Sequence, residues 1–354
     1  MSDSRQAKLT QWVAEVLQQL VPEDRGEITL SLVSGDASFR RYFRVCLSEA
    51  SFVAVDAPPE QEDSRTFVRI SNMLRDAGVS APKVFSADYD LGFMLLDDFG
   101  DQLYLDVLLE LQSAGRNKEI NTLYESAIDS LLDIQAKVDK ERLDPYSKTE
   151  LHREMALFAE WFCSAFLEME LDDAERELIA GTLEFLEEAA LSQEQLVVHR
   201  DYHSRNLMVL DSQVFGEDSS PGIIDFQDAV CGAYTYDLVS LLRDAYICWD
   251  AKTVDSWAVY YLEQAKSSGL IAAVDECQFL RDFDLMGLQR QLKVIGIFAR
   301  LYIRDNKPRY LADIPQVIHY FLEVSQRYTE LKPFLDWFKG RVLPIAETKL
   351  KINP

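Results

Sequence analysis

His199-Arg200-Asp201-Tyr202-His203-Ser204-Arg205-Asn206 decides how the rest of the chain is read. The apolar run Leu207 to Leu210 follows it, then a polar loop from Asp211 to Pro221, then Ile223-Ile224-Asp225-Phe226. The octapeptide fits H-R-D-x-x-x-x-N, and Asp225 adds an acidic residue at the end of a short strand. Phosphoryl transfer needs a carboxylate to orient an acceptor hydroxyl and take its proton. It also needs oxygen ligands that hold magnesium against the β and γ phosphates of ATP. Asp201 fits the first task; Asn206 and Asp225 fit the second. Taken singly, each is an ordinary turn or strand-end residue. The full pattern, with its correctly placed second acid, is what points to a kinase.

Upstream, Leu9, Trp12, Val13, Val16, Leu17 and Leu20 recur at helical spacing and stop near Pro22. Strand-like runs follow at Ile28 to Val33, Tyr42 to Leu47 and Phe52 to Val55, with Ser34 to Ser38 as a turn. A helix from Thr66 to Arg75 stops at Ala77-Gly78, and two more strands are expected near Lys83 to Phe85 and Phe93 to Leu96. Beyond Asp97-Asp98-Phe99-Gly100 the pattern is helical, broken by short strands around Leu196 to His199, Leu207 to Leu210 and Gly222 to Asp225. The expected fold class is α/β in the α+β sense. A small five-stranded antiparallel lobe, residues 1–97, precedes a larger mainly helical lobe, residues 98–354.

The chain has 354 residues and a net charge of −24, the wrong sign for a nucleic-acid surface, so an anionic ligand must find a locally basic pocket. Five cysteines without C-x-x-C pairing indicate neither disulfides nor zinc, and read as reduced, mostly core thiols. The polar N-terminus and the lack of an apolar run near ~20 residues argue against a signal peptide and a membrane span, which makes the cytoplasm the expected location. The oligomeric state is open, a monomer being compatible.

The segment around Asp201 resembles the aminoglycoside phosphotransferase and choline-kinase-like family, small-molecule kinases with a two-lobed protein-kinase-like fold. His203, two residues after Asp201, strengthens the resemblance, as do Tyr236-Asp237-Leu238 and Leu241-Leu242-Arg243-Asp244. The resemblance implies that Asp201 is the catalytic base, with His199, His203 and Asp237 as structural support. Asp237 would be a helix N-cap and a brace on the catalytic loop. Ser34 to Arg41 with Tyr42, Ala54 to Pro59, and Leu292 to Arg300 are similar to stretches of bacterial kinases acting on the anomeric hydroxyl of N-acetylmuramate and N-acetylglucosamine. What this implies is an amino-sugar substrate, ATP with Mg2+, and a sugar 1-phosphate product used in peptidoglycan recycling.

At the nucleotide end, Ser34, Gly35 and Ser38 lie where kinases carry a phosphate-holding loop, although a plain hairpin turn fits as well. Ala54 falls at the adenine roof, Met208 and Ile224 at its floor, and Leu95, Leu96 and Asp97 at the hinge. Overlaying Val53-Ala54-Val55-Asp56 on the V-A-I-K strand puts Asp56 where the phosphate-binding lysine belongs. Arginine is the expected substitute: the cleft-facing member of Arg40 and Arg41, and Arg205 beside Asn206 as a catalytic cation. Lys293, Arg300 and Arg304, spaced by seven and four, offer a cationic stripe for the carboxylate of N-acetylmuramate. Two rivals stand beside this: a kinase for a cationic acceptor, favoured by the negative charge, and a nucleotide-binding scaffold, suggested by the missing lysine.

Overall fold

The computed structural model describes residues 2–23, 28–34, 39–216 and 221–351. Two compact units divide the chain: residues 1–107 with 205–228, and residues 108–204 with 229–354. The first begins with α1 (Ser2–Leu20), β1 (Ser31–Ser34), β2 (Arg41–Cys46), β3 (Ser51–Asp56), α2 (Ser64–Asp76), β4 (Val84–Asp88) and β5 (Phe93–Asp97). The strands form one antiparallel sheet in the order β1-β2-β3-β5-β4. Alternation along the strands puts Phe43, Val45, Phe52, Ala54, Phe93 and Leu95 on one face, where they bury Leu9, Val13 and Leu17 of α1. Strand β1 starts at Ser31 rather than Ile28, because Ile28 and Leu30 pack against the α1 cluster before pairing with β2 begins.

Asp56 is the residue in this sheet whose surroundings the sequence did not disclose. It stands opposite Arg41 in the β2–β3 register, and alternation turns it toward the α1 face with Phe52 and Ala54. Its carboxylate is fully buried and accepts from Arg5 of α1 at 2.5 Å and from Arg41 at 2.5 Å. The acid at the lysine position therefore clamps the N-terminal helix to the sheet. Asp56→Ala is expected to lower the unfolding free energy by roughly 2 kcal/mol, read as a fall in the urea midpoint. The ~3–5 kcal/mol of a fully buried broken pair is not reached, since Arg5 and Arg41 keep 32% and 29% of their side-chain surface exposed. An unmoved midpoint would mean that the clamp contributes nothing.

The unit boundary falls within α3 (Tyr104–Ser113), after which come α4 (Asn117–Lys137), α5 (Lys148–Met155), a π-helical segment (Phe158–Phe166), α6 (Asp173–Ser192) and β6 (Gln195–Val198). The chain then contributes β7 (Leu207–Met208), α7 (Ser212–Phe215) and β8 (Gly222–Ile223) to the first unit. It closes the second with β9 (Val230–Ala233), α8 (Tyr236–Leu242), α9 (Ala251–Ser267), α10 (Glu276–Asp305), α11 (Ile314–Ser325), α12 (Lys332–Trp337) and α13 (Leu343–Leu350). Helix α10 is the axis of this unit: Leu288, Leu292, Ile295 and Phe298 join Phe158, Phe162, Phe321 and Phe338 in one core. Gly296 lets the π-helical segment approach closely, since a Cβ there would lie 2.4 Å from the Leu157 carbonyl carbon. Strand β9, which the sequence pattern does not announce, pairs with β6 and fixes the start of the catalytic loop. The expectation of mostly core cysteines is corrected: among the five, only Cys163 is buried, whereas Cys46, Cys248 and Cys277 are exposed.

Candidate active site

In the second unit, β6 delivers the loop from His199 to Ser204, and α8 receives it. Asp237, in the first turn of α8, accepts the backbone N–H of His199 at 2.5 Å and of Arg200 at 3.0 Å. Burial pushes the Asp237 carboxyl up to about 7, against the pull of those two N–H groups. Asp244 takes both the N–H and the hydroxyl of Ser204 at 3.0 and 2.5 Å, and Tyr202 donates its hydroxyl to the Ala127 carbonyl. His199 Nδ1 accepts the Asp201 N–H at 3.3 Å, and the ring of His203 lies edge-on to Tyr246. Arg200 adopts a left-handed backbone with φ of 78°. Burial works to raise the Asp201 carboxyl, yet nearby positive charge, Lys293 foremost and Arg290 with it, holds it below the usual carboxylate range. Asp201 is thus a carboxylate at neutral pH on a loop braced at both ends.

In the first unit, the Ile224 N–H bonds to the Asn206 carbonyl and brings the two proposed metal ligands together, Asn206 Nδ2 lying 3.4 Å from Asp225 Oδ2. Gln227 donates to the other Asp225 oxygen at 2.9 Å. Asp225 is exposed, has φ of 63°, and has no ion-pair partner among the described residues. An exposed carboxylate beside an asparagine amide is a donor set that suits a hard divalent cation shared with phosphate oxygens. Phe226, next in the chain, is buried against Phe67 of α2 with ring centroids 4.8 Å apart.

The nucleotide-site residues separate into those the structure brings together and those it does not. Gly35 and Ser38 lie outside the described residues, and Ser34 ends β1. Met208 and Ile224 pack in one small cluster with Phe99 and Leu210. Ala54 is not on the open face: it is buried in the α1 core, and Val53 and Val55 project from the opposite face. Leu95 and Leu96 are likewise not a free hinge. Strand β5 lies between β3 and β4, so their backbone groups serve the ladder, and Leu95 points into the α1 core. Asp97 ends that strand and accepts the Lys83 N–H at 2.8 Å, which leaves the hinge to the residues that follow it.

Arg40 and Arg41 part company. Arg41 is held by Asp56, whereas Arg40 is 6% exposed, lies 2.8 Å from Glu62 and sits over the Phe67 ring. Tyr42, two residues on, has its phenol pushed up to about 12 by burial, and it feels the charges of Arg40, Asp225 and Glu62. Arg40 therefore belongs with the Asp225 corner. Arg205 is half-buried. Of the three α10 residues expected to form a cationic stripe, Lys293 is buried against Glu154 at 3.0 Å and Tyr236 Oη at 2.8 Å. Arg304 bonds Asp305 at the surface, and Arg300 is half-buried with an Nε lacking a partner among the described residues. The three do not form one stripe.

A model of the phosphotransferase enzyme family known as APH matches residues 29–277. The chain belongs to this family. It is 41% identical over 333 residues to the N-acetylmuramate/N-acetylglucosamine kinase of Pseudomonas putida, covering 93% of this chain and 94% of that one. An ADP-bound aminoglycoside phosphotransferase superimposes with a TM-score of 0.55 at 17% identity, over 88% of this chain and 98% of the other. A choline kinase from Streptococcus pneumoniae does so at 0.59 and 10%, again over 88% and 98%. At such identities the structural likeness speaks to the fold, which is kinase-like, with a five-stranded antiparallel sheet and a mostly helical remainder.

This phosphotransferase is an ATP-dependent kinase, and several residues around its loop escaped the sequence reading. Glu62 lies in a polar turn with no periodic signal, and Glu154 on α5 looks like any helix-surface acid. Arg290, 6% exposed, directs its charge at Asp201 and Asp237 from a helix whose inward face sequence alone does not fix. Asp244 was visible only as part of a family-like phrase.

Proposed function

We propose that this kinase transfers the γ-phosphoryl group of ATP to the anomeric C1 hydroxyl of N-acetylmuramate and N-acetylglucosamine, releasing the sugar 1-phosphate and ADP for cell-wall recycling in the cytoplasm. The observation that carries the proposal is the near full-length likeness to a kinase named for these two sugars, on a chain that keeps Asp201, Asn206 and Asp225. The C1 oxygen attacks the γ-phosphorus, the bond to the β,γ-bridging oxygen breaks, and Asp201 takes the hydroxyl proton. An anomeric hydroxyl is more acidic than an ordinary sugar alcohol, so a carboxylate below the usual range suffices as base. Magnesium, held by Asn206 and Asp225, would neutralise charge on the phosphate oxygens.

Arg40, anchored by Glu62, is proposed to replace the missing strand lysine at the phosphates, with Arg205 as a further cation on the transferred group and Ser34 to Ser38 as the phosphate loop. Arg40→Ala is expected to raise KM for ATP about tenfold, near 1.4 kcal/mol, and to weaken ADP binding in calorimetry alike, together with a loss of stability because it strands the largely buried Glu62. Arg41→Ala should lower stability as well but spare KM. The function itself is tested by ATP consumption over both amino sugars, an aminoglycoside and choline, with phosphorus NMR locating the phosphate. A phosphate at C1 is expected. Turnover on choline or the aminoglycoside alone would favour the cationic-acceptor reading, which the −24 net charge supports. No turnover on any of them would favour the scaffold.

A further inference from the structure

Behind the catalytic loop lies a buried ionic knot that the transfer step does not use. Glu154 on α5, 4% exposed, binds the Lys293 ammonium at 3.0 Å and also takes the Arg200 guanidinium and the Tyr146 hydroxyl. Lys293, 6% exposed, lies 2.8 Å from Tyr236 Oη and 3.4 Å from Tyr146 Oη, with both aromatic rings within 5.9 Å of its nitrogen. Arg200, which Glu154 holds, and the two tyrosines at Lys293 all lead back to the loop. Arg200 precedes Asp201, Tyr236 precedes the bracing Asp237, and Tyr146 has Arg200 over its ring at 5.2 Å.

Burying an ammonium and a carboxylate costs several kcal/mol each, and such a pair is a poor device for stability alone, because a well-packed apolar replacement often does as well. A knot of this kind is worth keeping where it fixes a geometry. Two features of the loop require such fixing. Arg200 is held in a left-handed conformation that a non-glycine residue adopts at a cost of order 1 kcal/mol or more. Asp201, the next residue, must present its carboxylate toward an acceptor, between the Asp237 brace on His199 and Arg200 and the Asp244 brace on Ser204.

We propose that Lys293 and Glu154 are positioning residues for the catalytic base: the Lys293 ammonium fixes the Glu154 carboxylate, and Glu154 locks the Arg200 conformation that sets where Asp201, the next residue, stands. The proposal rests on Asp201 being the base, though not on which sugar is phosphorylated. The direction in which Lys293 moves the Asp201 carboxyl supports it. So does the continuous path of ion pairs from Lys293 through Glu154 to Arg200, the residue before the base.

The test uses the full chain. Lys293→Met is expected to lower kcat ten- to a hundredfold on both sugars, with KM for the acceptor within threefold and ADP affinity by calorimetry unchanged. Lys293→Arg should recover most of the loss. Glu154→Gln should reproduce the fall in kcat, and thermal melts will establish that each variant folds. If Lys293→Met does not fold, the Lys293→Arg and Glu154→Gln pair decides, recovery in the first and loss in the second being required. A raised acceptor KM with normal kcat would overturn the proposal in favour of direct acceptor contact. A lowered melting temperature with wild-type kcat would reduce the knot to a structural element. Failure of the underlying base assignment would show separately, as retained turnover in Asp201→Asn.

Discussion

Asp201→Asn is expected to reduce kcat by roughly 10²–10⁴-fold while leaving ADP affinity within a factor of two, the span that a general base contributes. The substitution is close to isosteric, and the Asp201 backbone helps shape the loop, its N–H bonding to His199 Nδ1 and its carbonyl accepting the His203 N–H. The loop should therefore survive the change. What disappears is an anion facing Lys293, His203, Arg290 and His199. Because the folded-state carboxyl is held below its unfolded value, its contribution to stability is present above the ordinary carboxylate pKa and is lost as pH falls through the lower folded value. A modest fall in the melting temperature at pH 7, absent at strongly acidic pH, should accompany the kinetic loss. Turnover within about tenfold of wild type, near 1.4 kcal/mol in barrier, would remove Asp201 from the chemistry.

The parts of the site written into consecutive residues were legible in the sequence. The span from His199 to Asn206 and the return at Asp225 define a loop and a strand end, and the Asn206–Ile224 backbone bond follows once β7 and β8 pair. Parity was legible too, but not its sign. Alternation says that Ala54 and Val53 face opposite ways, and only the position of α1 says which way is in. Asp56 looked like a defect in a phosphate site because its partner Arg5 is 51 residues distant and belongs to a helix that the kinase pattern does not include. The α10 stripe failed for a related reason. Spacing of seven and four aligns Lys293, Arg300 and Arg304 along one helix, but α10 is buried on nearly every side through its middle turns and reaches the surface only at its two ends. Lys293, in the buried middle, meets Glu154, an acid from a helix far earlier in the chain, while Arg304, at the exposed C-terminal end, meets its neighbour Asp305.

Removal of the Asp225 carboxylate is the other change expected to be near complete, and its effect belongs to binding rather than to the proton. In Asp225→Ala, the increment that magnesium adds to ATP affinity should vanish, so that titrations with and without the metal coincide, and turnover should fall to background. The structure allows this loss to be read as chemistry. Asp225 is exposed, its oxygens meet only the amides of Asn206 and Gln227, and no cation among the described residues depends on it for charge balance. Deleting an exposed carboxylate of this kind typically changes stability by no more than about 0.5 kcal/mol. The backbone is the one complication, since φ of 63° is a conformation that aspartate and asparagine tolerate better than alanine. Asp225→Asn answers it: the left-handed turn and one oxygen donor are kept and only the charge goes, so an intermediate magnesium increment is expected. If both variants bound magnesium-ATP as the wild type does, the metal would have to sit on other oxygens, and the pairing of Asn206 with Asp225 would be no more than a contact beside the β7–β8 pair. If the alanine variant alone failed and its melting temperature fell, the backbone rather than the carboxylate would be at fault. Loss of the increment in both, in the order alanine then asparagine and at unchanged melting temperature, is the outcome that a charge-dependent metal ligand requires.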